Sequence, residues 1–266
     1  MRRTWIFAKR NLKEMLRDPL LYAFCAGFPI FLVILFQIIL HYSNDKTPIF
    51  ELNSLIPGIM MFSYSLLMLM SALLISKDKI QSFLKRLYTS PMKSHEYIIG
   101  YFIPYFLIGL VQSILCIVLG YICAGIRGVE FTSFARAMLL IIEMIPIMMI
   151  NIFLGMAFGV LLNDKSAPAI TSIFISVGGV IGGAWMPLDA MGNFEVVARF
   201  FPFHPAVYLG RAVTGANHTV PDSMGNLIPF SFSDNGWLFV GILGVYLIGS
   251  LLLALVLFNK RLKSDN

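Results

Sequence analysis

Charge is the scarcest commodity in these 266 residues: only 13% are Asp, Glu, Lys or Arg, about half the share usual in a soluble domain. Cysteine is nearly missing, with Cys25, Cys116 and Cys123 each inside an apolar block. An odd number at these spacings gives neither a disulfide framework nor a zinc pattern, which leaves small packing residues. Histidine is confined to His41, His95, His204 and His218; they form no HExxH and no second metal-ligand cluster. There is no Gly-x-Ser-x-Gly elbow and no pair of intramembrane carboxylates. The nearest approach to a phosphate-binding loop is GVLLNDKS, Gly159 to Ser166. Asp164 stands there where the second glycine belongs, and its charge would oppose a phosphate, so the stretch reads as a tight turn. A cleavable signal peptide is not expected, because the first 19 residues hold six Lys or Arg and no apolar core.

What is present in abundance is apolar sequence: 58% of residues, with 23 Phe and 15 Met, and a mean hydropathy of +0.81. It falls in blocks of the roughly 20 residues that a membrane-crossing helix needs. The blocks predict an all-α integral membrane protein forming a single transmembrane domain over residues 1–266, with six spans near 20–40, 54–76, 97–123, 137–162, 167–187 and 236–258. An even number puts both termini on one side. With the N-terminus in the cytoplasm, the inner segments hold 15 of the 20 Lys and Arg, and the outer ones keep Lys46, Arg127, Arg136, Arg199 and Arg211. That asymmetry predicts cytoplasmic N- and C-termini. It also accounts for the net charge of +6 through anionic inner-leaflet lipid, with no need of nucleic acid.

Three segments outside the spans carry further information. In residues 1–18, Trp5, Ala8, Leu12, Met15 and Leu16 recur at helical spacing, while Arg3, Lys9, Arg10, Lys13 and Arg17 occupy the rest of the surface. This is a basic amphipathic helix for the inner interface, ended by Asp18-Pro19; it is either a simple anchor or an elbow that also touches a cytoplasmic partner. In the inner loop 77–96, Ile80, Phe83, Leu84 and Leu87 form the apolar face of a short helix stopped at Ser90-Pro91. A loop longer than a connector requires favours docking of that face into a soluble subunit. Residues 189–234 lie outside between the last two spans; their apolar early part predicts a re-entrant segment dipping into the outer leaflet.

Inside the spans, Glu143 stands as the lone acid, three residues before Pro146. Intramembrane acids are functional candidates by default, although near the outer end, about two turns from Arg136, a snorkelling or paired carboxylate is the plainer reading. An ion-coupled carrier or channel would rest on this residue. A membrane scaffold or immunity protein that moves nothing would need none of these features.

Taken in order, MLRDPLLYAF at the end of the first helix, LIPGIMMFSYSLL, FLKRLYTSPMKSHEYIIGYF and GGAWMPLDAMGNFEVVARFFPFHPAVYLGR resemble the type-2 ABC exporter permeases. The elbow is closer to those of drug and lipid exporters. The resemblance implies a permease in the cell (plasma or inner) membrane that moves a hydrophobic or amphipathic substrate outward. It would pair with a second permease copy or a related permease, and be clamped by two separate ABC ATP-binding subunits that hold ATP and Mg. This chain would carry no cofactor, metal or catalytic residue of its own. By the same resemblance Ile80, Phe83, Leu84, Lys85, Arg86, Leu87 and Tyr88 form the surface coupled to the ATPase, and Trp5, Lys9, Arg10, Lys13, Arg17, Asp18 and Pro19 build the elbow. Pro187, Phe201, Pro202, Phe203, His204 and Arg211 belong to the outer re-entrant gate.

Overall fold

The computed structural model describes residues 2–43, 48–80, 94–221 and 224–264. Helices dominate. Helix α1 (Arg2–Met15) precedes α2 (Pro19–Tyr42), α3 (Leu52–Ile80), α4 (Ser94–Arg127), α5 (Phe134–Leu161) and α6 (Ser166–Ile181). Two short helices, α7 (Asn193–Ala198) and α8 (Phe203–Thr214), lead to a hairpin of β1 (Asn217–Pro221) and β2 (Leu227–Pro229). Helix α9 (Phe232–Ser264) closes the chain. The mostly helical chain agrees with the all-α expectation and adds one antiparallel hairpin, whose turn residue Gly225 has φ 82°, a conformation that favours glycine.

Five helices, α2, α3, α4, α5 and α9, are long and apolar enough to cross a membrane. The sixth candidate, α6, is α-helical for 16 residues and stops at Ile181, about 24 Å at 1.5 Å per residue against a hydrocarbon core of about 30 Å. The apolar block continues to Leu188, but Gly182 and Gly183 end the helix: Gly183 takes φ 63°, and the chain turns through Ala184 to Met186 towards a 3-10 turn at Leu188–Ala190.

Element ends follow local chemistry. The Asp18 carboxylate accepts the Leu20 N–H at 2.9 Å with Pro19 at the first helical position, which starts α2 in the expected place. One π-helical turn, Ala23–Gly27, sits just before Pro29, whose missing N–H interrupts the α-helical ladder. The predicted cytoplasmic loop begins later than its charges suggest. Helix α3 continues through Lys77, Asp78 and Lys79 to Ile80, and α4 already starts at Ser94. Lys79 sustains this extension by donating from Nζ to the carbonyls of Val160 (3.1 Å) and Leu162 (2.8 Å), satisfying the open C-terminus of α5.

Helix α3 is the axis of the bundle. Its most apolar window is 89% buried, against 33% for α2 and α4 and 17% for α9. Between apolar helices in lipid, attraction comes from close packing, which small residues permit. Gly155 and Gly159 of α5 supply it. A Cβ on Gly155 would strike the Met68 carbonyl and the Ser71 hydroxyl, and one on Gly159 would lie 2.7 Å from Ile75 Cβ. At the other end of α3, Gly58 lies against the backbone of Ala184. The outward faces of α2 and α9 stay apolar: Phe31, Ile34, Ile38, Val245, Ile248 and Leu252 are exposed. Such faces suit lipid or another hydrophobic partner.

Adding a methyl group at Gly58 overpacks a contact made by backbone. Gly58→Ala is expected to lower the melting temperature of the detergent-solubilised protein, by a loss of about 1–3 kcal/mol. Gly241→Ala, where nothing lies within 4 Å, is expected to leave it unchanged or raise it slightly through helix propensity.

Candidate transport machinery at the two ends of the bundle

The α1 end is organised by a carboxylate that sequence reading assigned to a loop. Asp78 is fully buried. Arg10 reaches it with two nitrogens, Nη1 to Oδ2 and Nη2 to Oδ1, each at 3.2 Å, and the Tyr101 hydroxyl donates to Oδ2 at 2.7 Å. The fork-to-fork pair is the strong geometry for such a bridge. Glu14, one turn along α1, holds Arg10 Nη2 at 2.7 Å and approaches Lys77 at 3.7 Å. Burial works against the charge on the Arg10 guanidinium, yet Asp78 and Glu14 together hold its proton more tightly than usual.

Around this pair α1 lies along α4. Asn11 donates to the Gly100 carbonyl at 3.2 Å, and the Phe7 ring packs edge-on against Tyr97 and Tyr101. Phe7 also fills the space over Gly100, where a Cβ would collide with it. The buried stripe is therefore Thr4, Phe7, Ala8, Asn11 and Met15, rotated from the predicted Trp5, Ala8, Leu12, Met15 and Leu16. Trp5 and Leu16 are exposed. Apolar spacing marked both flanks of the helix and could not say which one meets protein. Among the elbow cations Arg10 is half-buried in the lock, whereas Lys9, Lys13 and Arg17 are exposed.

Of the proposed coupling surface, Ile80 lies in the last turn of α3, exposed. Phe83, Leu84, Lys85, Arg86, Leu87 and Tyr88 lie outside the described residues. The GVLLNDKS stretch is the end of α5 and a tight turn, in which the Ser166 hydroxyl accepts the Asn163 N–H at 3.0 Å.

At the opposite end, α8 is wedged between the start of α3 and the end of α6. Arg211 is buried and donates from Nε to the Ser54 carbonyl (3.2 Å) and from Nη2 to the Gly183 carbonyl (2.7 Å). Its burial pulls the guanidinium down to about 10. Thr214 adds a bond to the Asn53 carbonyl at 2.6 Å. Phe203 packs over Gly178 and Gly182 of α6. Pro202 and His204 are buried, Pro187 is half-buried, and Phe201 is exposed. These residues, scattered over 25 positions, form one packed end of the bundle.

Beside them Asp189 accepts the Thr219 N–H and lies 3.4 Å from His218 Nδ1. Although burial opposes ionisation, these contacts hold its carboxyl below the usual value. His204 is also pushed down, to about 3, by burial and then by Arg211 and Arg199. Its ring lies among Tyr208 and Phe239, and Nδ1 has no hydrogen-bond partner among the described residues.

Glu143 neither snorkels nor pairs. Both carboxylate oxygens are buried without a hydrogen-bond partner among the described residues. A second acid, Asp78, is buried in the bundle once α3 is extended.

Among the described residues five long apolar helices, one of them the buried axis, define a multi-pass membrane protein. Residues 2–214 match the family model described as ABC-2 type transporter, and the chain belongs to that family, as the transmembrane permease component of an ABC transporter. Comparison with curated proteins gives no sequence match.

Two outcomes are expected. In a double-mutant cycle of Arg10→Gln and Asp78→Asn, measured by detergent denaturation, the coupling is about 1–3 kcal/mol; it falls short of a fully buried pair because the Arg10 side chain is 34% exposed. For His204, the unfolded chain takes up a proton near the ordinary value of 6.5 and the folded chain only near 3. Stability is therefore expected to fall as pH drops below about 6.5. Melting curves against pH should show this slope, flattened in His204→Gln.

Proposed function

We propose that this permease is the membrane half of an ATP-driven exporter that moves a hydrophobic or amphipathic substrate outward. It carries no ATPase of its own and is energised through the loop after α3. The observation that carries the reading is the Arg10–Asp78–Tyr101 lock. It ties α1, α3 and α4 together two residues from where the described part of α3 ends. A push delivered by an ATP-binding subunit on residues 81–93 would reach the elbow helix and the bundle axis as one unit. In this reading both termini are cytoplasmic, α6 with its glycine turn is the fifth of six spans, and α7 and α8 form the outer re-entrant gate. Two copies of the permease, or two related permeases, pair through exposed apolar helix faces and work with two ATP-binding subunits holding ATP and Mg.

The buried, unpartnered carboxyl of Glu143 favours one second reading, an ion-coupled carrier. Transport by this chain alone in liposomes, abolished by Glu143→Gln, would establish that reading and displace the first.

The exporter reading is tested in proteoliposomes holding the permease with its ATPase. Phe83→Asp with Leu87→Asp is expected to leave insertion intact and to reduce ATP-dependent transport at least tenfold. The purified permease alone is expected to hydrolyse no ATP. Normal ATP-driven transport by the double variant would overturn the coupling assignment.

A further inference from the structure

Between α1, the start of α2 and the last third of α3 lies a cleft of about 920 Å³, a size suited to a small molecule or part of a lipid. Its rim and floor differ in chemistry. Arg10, Lys13, Glu14, Arg17, Asp18, Lys77 and Asp164 give the lining a charged part, and Met15, Leu20, Met70, Leu73 and Leu74, with the buried Tyr105 of α4, an apolar one. From Lys77 to Met70 the wall of α3 descends seven residues, about 10 Å along the helix. The cleft therefore runs from a charged mouth at one end of the bundle down along an apolar spanning helix.

The rim charges are not equally available. Glu14 is engaged by Arg10 and Lys77, Arg10 is committed to Asp78, and the Asp18 carboxylate caps α2. The Tyr105 hydroxyl is spent on the Met70 carbonyl at 2.8 Å, so the apolar part offers no free donor there. Lys13 and Arg17 line the same mouth and make no ion pair among the described residues. Against them stands Asp164, an acid with no ion pair among the described residues. The uncommitted charge is therefore one positive in balance, above an apolar slot, and matches a molecule with an anionic, phosphate-bearing head and a hydrocarbon tail.

We infer that this cleft binds one anionic phospholipid from the adjoining leaflet. Lys13 and Arg17 hold its phosphate, and the first part of an acyl chain lies along Met70, Leu73 and Leu74. That the leaflet is the inner one rests on the cytoplasmic placement of the termini proposed above; the site itself does not. A bound lipid would also fasten the hinge between α1 and α2 to α3, with Tyr105 of α4 beside it.

The test uses the full-length permease in detergent, titrated with phosphatidylglycerol, phosphatidylcholine or inorganic phosphate, with bound lipid counted by native mass spectrometry. One tightly retained phosphatidylglycerol is expected, with at least tenfold preference over phosphatidylcholine and no displacement by inorganic phosphate at equal concentration. Lys13→Gln with Arg17→Gln should weaken retention at least tenfold. Leu73→Trp, which fills the slot without touching the rim, should do the same while the melting temperature of the lipid-free protein is unchanged. Equal retention of both lipids, or retention unaffected by the charge variant, overturns the proposal. Displacement by inorganic phosphate reduces the site to a phosphate site and overturns the lipid assignment. If the charge variant instead loses binding of the ATPase partner while keeping its lipid, the rim is a protein contact and the proposal fails. ATP-driven transport, measured separately with the Phe83→Asp, Leu87→Asp variant, distinguishes failure of the lipid site from failure of the exporter reading.

Discussion

Everything in this bundle is arranged around a helix that almost nothing but protein touches. With its central window 89% buried, α3 has to meet helices on all sides, and in an apolar solvent it can do so only by close fit. That requirement explains the residues that touch it: Gly155 and Gly159 of α5, Gly58 on α3 itself, and the turn at Gly182-Gly183 that lets α6 finish against it. Each removes a Cβ where backbone meets backbone or side chain. The outer helices α2 and α9 are freed from this constraint and present apolar faces outward.

The two ends of α3 meet a different problem, because open helix ends and buried charges need partners. At one end the carbonyl of Ser54 is taken by Arg211, together with that of Gly183 at the end of α6. At the other, Asp78 is matched by Arg10 and Tyr101, and Lys79 closes the neighbouring α5. A cation held by carbonyls at one end and a carboxylate held by a guanidinium at the other make both ends rigid relative to the axis.

How much of this was legible in advance can be judged residue by residue. Long charge-free blocks located the spanning helices, because in lipid only a fully hydrogen-bonded helix can hold such a run. Asp18-Pro19 placed the break between α1 and α2 correctly, since capping and proline geometry act within a few residues. Asp78 was misread. A carboxylate flanked by two lysines looks like a solvated loop, and only the arrival of Arg10 from 68 residues away makes it a buried helical residue. Which flank of α1 meets protein was not legible either, since an amphipathic helix with apolar residues on two flanks does not announce which one meets α4; Phe7 and Asn11 do so, and Trp5 stays exposed. The hairpin β1–β2 escaped notice because its strands are five and three residues long.

The sequence by itself determined the solvent of this protein, the rough limits of its five long apolar helices among the described residues, and the family pattern spread along them. These depend on composition and on interactions a few residues apart. The tertiary structure alone decided which helix is the axis and which acids are buried. It also decided where a charged mouth opens onto an apolar slot, because those follow from which faces of distant helices come together and what charge each face must then satisfy.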